Sequence, residues 1–276
     1  FDPIWTHRRS LLVEILRAMN VFGSSLKCIR SFAIGLISLF CSVQVGALAA
    51  GDMQRVVGFE IDRTEVSVGY YRGFVEATGY TTAAERAGGG LVYEAGWQKK
   101  LGWTWKAPFG TPAQDNEPAV HVTFDDASAY CEWADKRLPT DEEWSQAAYT
   151  EYRVSPPAPF QADTTYPYPT GSEPTGANCL RDCGDNPSID YSDRLNRGIG
   201  HAPVGVTSAG VNGLYDMGAN VWEWTENGSK TDKGTRGGSW WYGAYRMRSD
   251  DYATKPRDMA VVYIGFRCVR DVGVKQ

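Results

Sequence analysis

Histidine is scarce in this chain, and the short motifs of several enzyme classes are missing from it. The 276 residues include three histidines. No C-x-x-C pair, Walker or Rossmann glycine pattern or G-x-S-x-G sequence occurs. Zinc is an alternative use of the cysteines, but His121 and His201 are the only histidines after the N-terminal region, so a zinc site is disfavoured. The sequence therefore argues against P-loop, dinucleotide and serine-hydrolase chemistry.

Positive charge is also in short supply. Lys and Arg number 28 against 33 Asp and Glu, which gives a net charge of −5. The first 49 residues are locally basic, so the rest of the chain is more acidic than the whole. Such a balance repels phosphate backbones, and we expect no nucleic-acid partner.

The N-terminal region is typical of an export signal. Lys27 and Arg30 precede the apolar run 32–45, and Ala47-Leu48-Ala49 supplies the small-x-small pattern of a signal-peptidase site. The sequence predicts a cleavable signal peptide over residues 1–49, with cleavage after Ala49. Residues 50–276 then form a single domain in the periplasm or the medium.

An uncleaved membrane anchor is the alternative. The run from Phe32 to Ala50 is about long enough to span a bilayer, but Ser38, Ser42 and Gln44 dilute it, and no stop-transfer charges follow. A lipoprotein anchor at Cys41 is disfavoured because no small residue precedes it. We expect no stable membrane anchor after cleavage.

Export makes the remaining cysteines informative, because the compartment is oxidising. Cleavage removes Cys28 and Cys41 and leaves an even number: Cys131, Cys179, Cys183 and Cys268. Three pairings are possible. The very short spacing of Cys179 and Cys183 favours a local bridge, which leaves Cys131 for Cys268.

The 30 glycines and 35 aromatic residues predict a loop-rich fold pinned by buried rings. Residues 81–110, 152–200 and 225–235 are predicted to be irregular, the last of them mobile. The aromatic side chains of the first are interpreted as anchors for a long loop. Periodicity and capping patterns predict strands over 58–64, 236–242 and 261–269, a helix over 65–79, a helix capped by Asp125, and a helix with a Thr140–Glu143 capping box that ends at Tyr149.

The stretch 210–224 combines glycines with two spaced carboxylates. Asp216 and Glu223 lie seven residues apart in a chain that glycines allow to bend, which suits a hard cation such as calcium. Trp222 and Trp224 flank Glu223, so in an extended segment both rings face the core and the carboxylate points the other way. A turn that enters a buried strand is the alternative interpretation.

Four segments together resemble a known family. They are PAVHVTFDDASAYCEWADKRLPTDEEW (118–144), NGLYDMGANVWEW (212–224), RGGSW (236–240) and GFRC (265–268). In this order and spacing they resemble the formylglycine-generating enzymes, also called sulfatase-modifying-factor domains. The resemblance covers about residues 55–270.

The resemblance implies a fold, structural calcium and a disulfide. Members have a compact α+β fold, related to C-type lectins, with little regular secondary structure. Their first calcium site corresponds here to the side chains of Asp216 and Glu223 and the carbonyls of Ala219 and Val221. Their second corresponds to Asn178, Cys179 (carbonyl), Asp193 and Leu195 (carbonyl). A family disulfide corresponds to Cys131 and Cys268.

The resemblance breaks at the catalytic metal. Formylglycine-generating enzymes bind copper through two cysteines that follow the RGGSW segment, and the first corresponds here to Tyr242 and the second to about Met247. A thiolate pair is what selects Cu(I). Copper is therefore not expected, and sulfatase activation by that mechanism is the less favoured function. Ergothioneine-type relatives are iron enzymes that need a histidine cluster, which His121 and His201 cannot supply.

Two hypotheses from different classes are compatible with these observations. The first is a tailoring oxidoreductase that resembles the periplasmic family branch maturing pyoverdine siderophores, with a small-molecule or peptide-derived substrate. Its pocket is predicted to contain Ser239, Trp240, Tyr242, Tyr245 and Arg248, with Asp250 or Asp251 as a general base. The alternative interpretation of these residues is structural, with Arg248 paired to a neighbouring aspartate. The second hypothesis is a non-catalytic, calcium-stabilised binding scaffold that uses the aromatic loop 93–109.

Overall fold

The computed structural model describes residues 52–185, 188–196 and 198–272, which lie in one compact unit. The predicted signal peptide and its cleavage site lie outside the described residues, so the boundary at residue 50 stays a prediction. None of the described helices has the length and apolarity needed to cross a bilayer.

Short helices and strands alternate with long turns. The helices are α1 (Val68–Thr78), α2 (Ala83–Arg86), α3 (Phe124–Trp133) and α4 (Asp141–Tyr149), with 3-10 turns at Val211–Gly213 and Ala244–Met247. The strands are β1 (Met53–Arg55), β2 (Phe59–Asp62), β3 (Gly89–Tyr93), β4 (Trp97–Leu101), β5 (Trp222–Gly228), β6 (Asp232–Arg236), β7 (Ala253–Pro256), β8 (Ile264–Gly265) and β9 (Val269–Asp271). This mixture is the predicted α+β class.

Side-chain caps set where the helices begin. The predicted Thr140–Glu143 capping box of α4 is confirmed. Helix α3 begins after Thr123, whose side chain accepts from the Asp126 N–H in a second capping box, so the prediction that Asp125 caps it is wrong. Helix α1 begins after Ser67, three residues later than predicted, because the Ser67 hydroxyl accepts from the Tyr70 N–H.

Three small sheets carry the strands, in the orders β1-β2-β9, β3-β4 and β7-β6-β5-β8. Strands β5 and β8 are parallel, and the other pairs are antiparallel. The segment predicted as one strand over 261–269 instead contributes β8 to one sheet and β9 to another. Its middle residues, Phe266 to Cys268, cross between the two sheets.

Two further segments differ from their predictions. Residues 225–235, predicted as a loop, form most of the β5–β6 hairpin, whose polar composition reflects the exposed Glu226, Asn227 and Gly228. The predicted strand over 236–242 ends at once, because Gly237 (φ 91°) and Gly238 (φ 76°) turn the chain in a conformation that favours glycine. The stretch 81–110 contains α2 and the β3–β4 hairpin rather than a continuous loop.

Both predicted disulfides are present. Cys131 on α3 is bonded to Cys268, across 137 positions of sequence, and Cys179 is bonded to Cys183, four positions away. Because a longer loop loses more unfolded-state entropy, loop closure stabilises by about 5 kcal/mol for the long bridge and about 2 kcal/mol for the short one.

A buried ion pair joins β5 to the segment between β8 and β9. The Arg267 guanidinium donates to both carboxylate oxygens of Glu223, each at 2.7 Å, and the side chains are 0% and 1% exposed. The Trp144 indole N–H on α4 donates to the same carboxylate at 2.7 Å. Arg267 also donates to the carbonyls of Asp62 and Tyr215, so one guanidinium connects four parts of the chain.

We predict that Arg267→Met lowers the free energy of unfolding by about 3–5 kcal/mol, because it leaves the Glu223 charge buried without a partner. The matched control is Arg72→Met, which removes an ion pair to Asp115 whose side chains are 41% and 77% exposed. Urea denaturation of the oxidised proteins measures both, and the control loses about 1 kcal/mol or less. Similar losses of unfolding free energy in the two variants would show that the Glu223–Arg267 pair stabilises the fold no more than an exposed ion pair does.

Candidate functional site

The short disulfide loop lies against the segment that follows the RGGSW motif. The N–H of Leu180 donates to the Tyr242 carbonyl at 2.9 Å, and the N–H of Ala244 donates to the Arg181 carbonyl at 3.3 Å. The sulfur of Cys183 lies 3.9 Å from that of the buried Met247. The loop therefore positions the backbone on which the predicted catalytic residues stand.

The predicted catalytic residues divide between the core and the surface. Ser239 and Trp240 are buried, and Trp240 packs in the core against Phe109 and Trp241. Tyr242 is half-buried and Tyr245 is 59% exposed. Ser239 and Trp240 thus support the site from beneath, and the two tyrosines face it.

Arg248 and Asp250 form an ion pair with each other. The Arg248 Nε donates to an Asp250 carboxylate oxygen at 2.9 Å, and both side chains are exposed. The Arg248 guanidinium lies 5.8 Å from the ring centre of Tyr168, not over Tyr242. This arrangement matches the alternative interpretation of an exposed ion pair.

Arg246 occupies the place that the sequence analysis gave to Arg248. Its guanidinium carbon lies 5.3 Å from the ring centre of Trp222, 5.6 Å from that of Tyr242 and 5.9 Å from that of Tyr245. Such distances are typical of cation–π contacts. The 3-10 turn Ala244–Met247 directs this side chain back over the aromatic rings.

Two more charged residues complete this surface. Asp251 accepts from the Arg246 Nη1 at 2.7 Å, and the Lys255 Nζ lies 5.1 Å from the ring centre of Trp222. We call this group the Arg246 patch; it consists of Trp222, Tyr242, Tyr245, Arg246, Asp251 and Lys255.

The Arg246 patch contains two cations, Arg246 and Lys255, but only one carboxylate, that of Asp251. In the described ranges, Lys255 has no carboxylate within ion-pair distance, and burial, together with the Arg246 charge, lowers the pKa of its ammonium. Asp251 uses one carboxylate oxygen for Arg246, and its other oxygen is buried without a hydrogen-bond partner. The patch therefore contains an unpaired ammonium at Lys255 and an unpaired carboxylate oxygen at Asp251 within the described residues.

The sequence analysis missed Trp222, Arg246 and Lys255 as site residues. Trp222 was interpreted as core, which its full burial supports, but the same ring carries both cations. A signal for Lys255 exists in the alternation of β7, where Ala253 and Lys255 share the less exposed face. No periodicity distinguishes Arg246 from Arg248, because neither lies in a regular strand or α-helix.

The donor set at this position does not fit the copper of the family. Tyr242 offers a phenol and Met247 a buried thioether, where a pair of thiolates is required. Every cysteine within the described residues is in a disulfide. The residues at this position therefore do not form the family's copper site.

The predicted calcium ligands of the first site are buried and oxygen-rich. Asp216 accepts from the Thr207 hydroxyl at 2.6 Å and the Gly205 N–H at 2.7 Å, and each of its oxygens keeps a lone pair. Glu223 accepts from Arg267 and Trp144, which leaves one oxygen with a single hydrogen bond. Hard oxygen donors of this kind fit calcium chemically.

The second predicted calcium site is marked by an amide oxygen. Asn178 is fully buried, and its Oδ1 has no hydrogen-bond partner, whereas its Nδ2 donates to Asn220 and Gly200. An oxygen of this kind fits a cation. Asp193 instead pairs with Arg194 and is 73% exposed, and the Leu195 carbonyl accepts from the Gly198 N–H. Across the described ranges, no group of three or more His, Cys, Asp or Glu side chains could hold a metal ion.

His121 and His201, the two histidines among the described residues, lie inside the core. His201 is within 2.7 Å of the Glu117 carboxylate, which also accepts from the Tyr191 hydroxyl. His121 lies 3.0 Å from the Pro108 carbonyl, and burial lowers its pKa to about 4, so it is neutral at pH 7. These side chains hold loops together.

A cavity of about 310 Å³ lies beside β2, and none of the predicted catalytic residues lines it. Four of its five charged lining residues form ion pairs, Arg63 with Asp52 and Lys136 with Asp62, and the fifth, Glu65, accepts hydrogen bonds from Asn220 and Val221. The cavity is therefore distinct from the Arg246 patch.

The aromatic loop of the scaffold hypothesis is only partly exposed. Trp103, Trp105 and Phe109 are buried anchors, whereas Tyr93 and Trp97 are 43% and 51% exposed on the β3–β4 hairpin. Their rings pack edge to face at 5.3 Å.

Comparison with known proteins gives relatives over most of the chain. The formylglycine-generating enzyme of Thermomonospora curvata is 31% identical over 265 residues, covering 79% of this chain and 83% of that protein. Inactive C-alpha-formylglycine-generating enzyme 2 of Mus musculus is 30% identical over 246 residues, covering 78% and 76%. The solved structure of PvdO from Pseudomonas aeruginosa has a TM-score of 0.52 at 20% identity, covering 78% of this chain and 80% of that one, which indicates a shared fold.

A family model also matches most of the chain. Residues 41–272 match the sulfatase-modifying factor enzyme 1-like domain. This range includes the capped helices, both disulfides and the Arg246 patch. The chain therefore belongs to the sulfatase-modifying factor enzyme 1-like domain family, to which its resemblance to formylglycine-generating enzymes pointed.

Proposed function

We propose that this chain is an exported, copper-independent tailoring oxidoreductase. Its proposed substrate is a small molecule or peptide-derived compound, such as the chromophore precursor of a pyoverdine-type siderophore matured in the periplasm. The observation that carries the proposal is the replacement of the family's copper thiolates by Tyr242 and Met247, beside a surface that suits a planar ligand.

The residues of the Arg246 patch have different roles in the proposed reaction. Tyr242 and Tyr245 offer aromatic faces to a planar ring. The buried oxygen of Asp251 accepts a proton from the substrate. Arg246 and Lys255 stabilise the negative charge that remains. The substrate loses two electrons and two protons, and the electron acceptor is dioxygen, which is reduced to hydrogen peroxide.

The relatives are compatible with both the enzyme hypothesis and the scaffold hypothesis. The relative named as a formylglycine-generating enzyme agrees with an enzyme, and the relative named as inactive agrees with a non-catalytic scaffold. The exposed Tyr93 and Trp97 give that scaffold hypothesis a recognition surface. Sulfatase activation is the least supported function, because all four cysteines of the described residues are in disulfides.

We predict that purified protein in air accelerates conversion of a dihydro-chromophore precursor to its aromatic product, followed by absorbance and oxygen uptake. Asp251→Asn lowers kcat at least about 100-fold, because it removes the proposed base. Asp250→Asn, which touches only the exposed Arg248 pair, keeps the wild-type rate. If the wild-type protein does not accelerate the reaction, or if Asp251→Asn retains full activity, the proposed reaction or its base is wrong.

We also propose that calcium binds in the first predicted site. Three buried carboxylates, Glu65, Asp216 and Glu223, surround the single guanidinium of Arg267. Burial raises the pKa of Glu65 well above its ordinary value, and the charges of Asp216 and Glu223 raise it further. A bound cation offsets this excess negative charge. Its role here is structural, and Asp216 and Glu223 hold it with the carbonyls of Ala219 and Val221.

Removal of calcium is expected to lower the melting temperature. A ligand held at 100 times its Kd stabilises the native state by about 2.7 kcal/mol, which corresponds to a fall of about 5–10 °C in excess chelator. Asp216→Asn reduces this chelator effect, whereas the exposed control Asp250→Asn preserves it. An identical melting curve with and without chelator would rule out a stabilising calcium ion.

A further inference from the structure

Among the described residues, half-buried Lys255 has no carboxylate within ion-pair distance. Its Nζ lies 5.1 Å from the ring centre of Trp222, and its one hydrogen bond runs to the Thr254 carbonyl at 3.5 Å. Long lysine side chains normally reach solvent or a carboxylate. Here the ammonium stays against an indole ring that is itself fully buried.

A second cation lies on the same ring. Arg246 contacts Trp222 at 5.3 Å, and its charge acts against that of Lys255. The charged groups that act on the Lys255 ammonium are Arg246 and Asp251, and Asp251 already pairs with Arg246 at 2.7 Å. Two positive charges thus share one negative charge, and the local excess is positive.

Hydrogen-bond capacity shows the same imbalance. The indole N–H of Trp222 is buried and has no partner within the described part of the chain. An ammonium has three donors, and Lys255 uses at most one of them within the protein. Unmatched donors and unmatched positive charge both call for an acceptor that carries negative charge.

We propose that Lys255 is a specificity-determining residue that binds the anionic oxygen group of a planar aromatic ligand on the Arg246 patch. The proposal rests on the proposed function and names its substrate class: an aromatic ring with a carboxylate or an ionised phenol. The half-buried Tyr242 and the exposed Tyr245 flank Arg246 and contact the ring. The ammonium of Lys255 contacts the charged oxygen.

The chain offers a matched control. Lys233 also lies over an aromatic ring, with its Nζ 4.6 Å from the ring centre of Phe124. Unlike Lys255, it has protein partners: the Glu226 carboxylate at 3.8 Å and the Glu226 carbonyl at 3.0 Å. Lys233→Met therefore removes a cation from an aromatic ring without removing an unpaired charge.

The test measures binding of salicylate and of its neutral analogue salicylamide by isothermal titration calorimetry. We expect the wild-type protein to bind salicylate at least about tenfold more tightly than salicylamide, since a charge-assisted hydrogen bond is lost with the amide. Lys255→Met removes this preference, Lys255→Arg restores most of it, and Lys233→Met leaves it unchanged. Circular dichroism melting of each variant verifies folding.

Equal affinities for the two probes, or a full preference for salicylate in folded Lys255→Met, would overturn the inference. The binding measurement needs no turnover, so its failure is distinct from that of the proposed reaction. If Lys255 selects the anion but no precursor is oxidised, the site stands and the oxidoreductase proposal fails. If the precursor is oxidised with an unchanged KM in Lys255→Met, the reaction stands and the role of Lys255 fails.

Discussion

The Glu223–Arg267 ion pair is the interaction on which the rest of the structure depends. A fold built from short strands and long turns has few regular hydrogen-bond ladders to hold distant segments in register. Here one guanidinium binds a carboxylate on β5 and the carbonyls of Asp62 and Tyr215. The next residue, Cys268, is bonded to α3 through the long disulfide. Arg267 and Cys268 thus connect β5, α3 and the segments that contain Asp62 and Tyr215.

Strand β5 links this scaffold to the candidate site. Glu223 points to Arg267 and Trp144, and its neighbour Trp222 points to the opposite side, where Arg246 and Lys255 cover its ring. Because successive side chains of a strand alternate, the position of Glu223 in the ion pair also determines where the Trp222 ring lies. The buried pair therefore places the Arg246 patch although it lies on the other face.

Local chemistry made part of this structure predictable. The Thr140–Glu143 capping box and the short spacing of Cys179 and Cys183 depend on neighbouring residues, so the sequence displays them directly. The resemblance added the α+β fold and agreed with the long disulfide that the local bridge leaves. The β5–β6 hairpin was not predictable, because its polar residues have the composition of a loop and its pairing depends on β7 and β8.

The site was harder to predict than the fold. Arg246 and Arg248 are two residues apart in an irregular segment, where no period tells which one turns inward. The difference arises from tertiary contacts, since the Arg246 guanidinium lies over Trp222 and the Arg248 guanidinium lies over Tyr168. Glu65 was missed for the same reason: its partners Asn220 and Val221 are more than 150 residues away in sequence.

We propose that this family member works without copper. The most direct test is elemental analysis of the purified protein after incubation with excess Cu(I) and desalting, with a thiol count on the same sample. The account predicts no retained copper and no free thiols, because Tyr242 and Met247 stand where the family has cysteines and the remaining cysteines are in disulfides. Copper retained at one equivalent per chain would contradict it and return thiolate-type oxidation to first place.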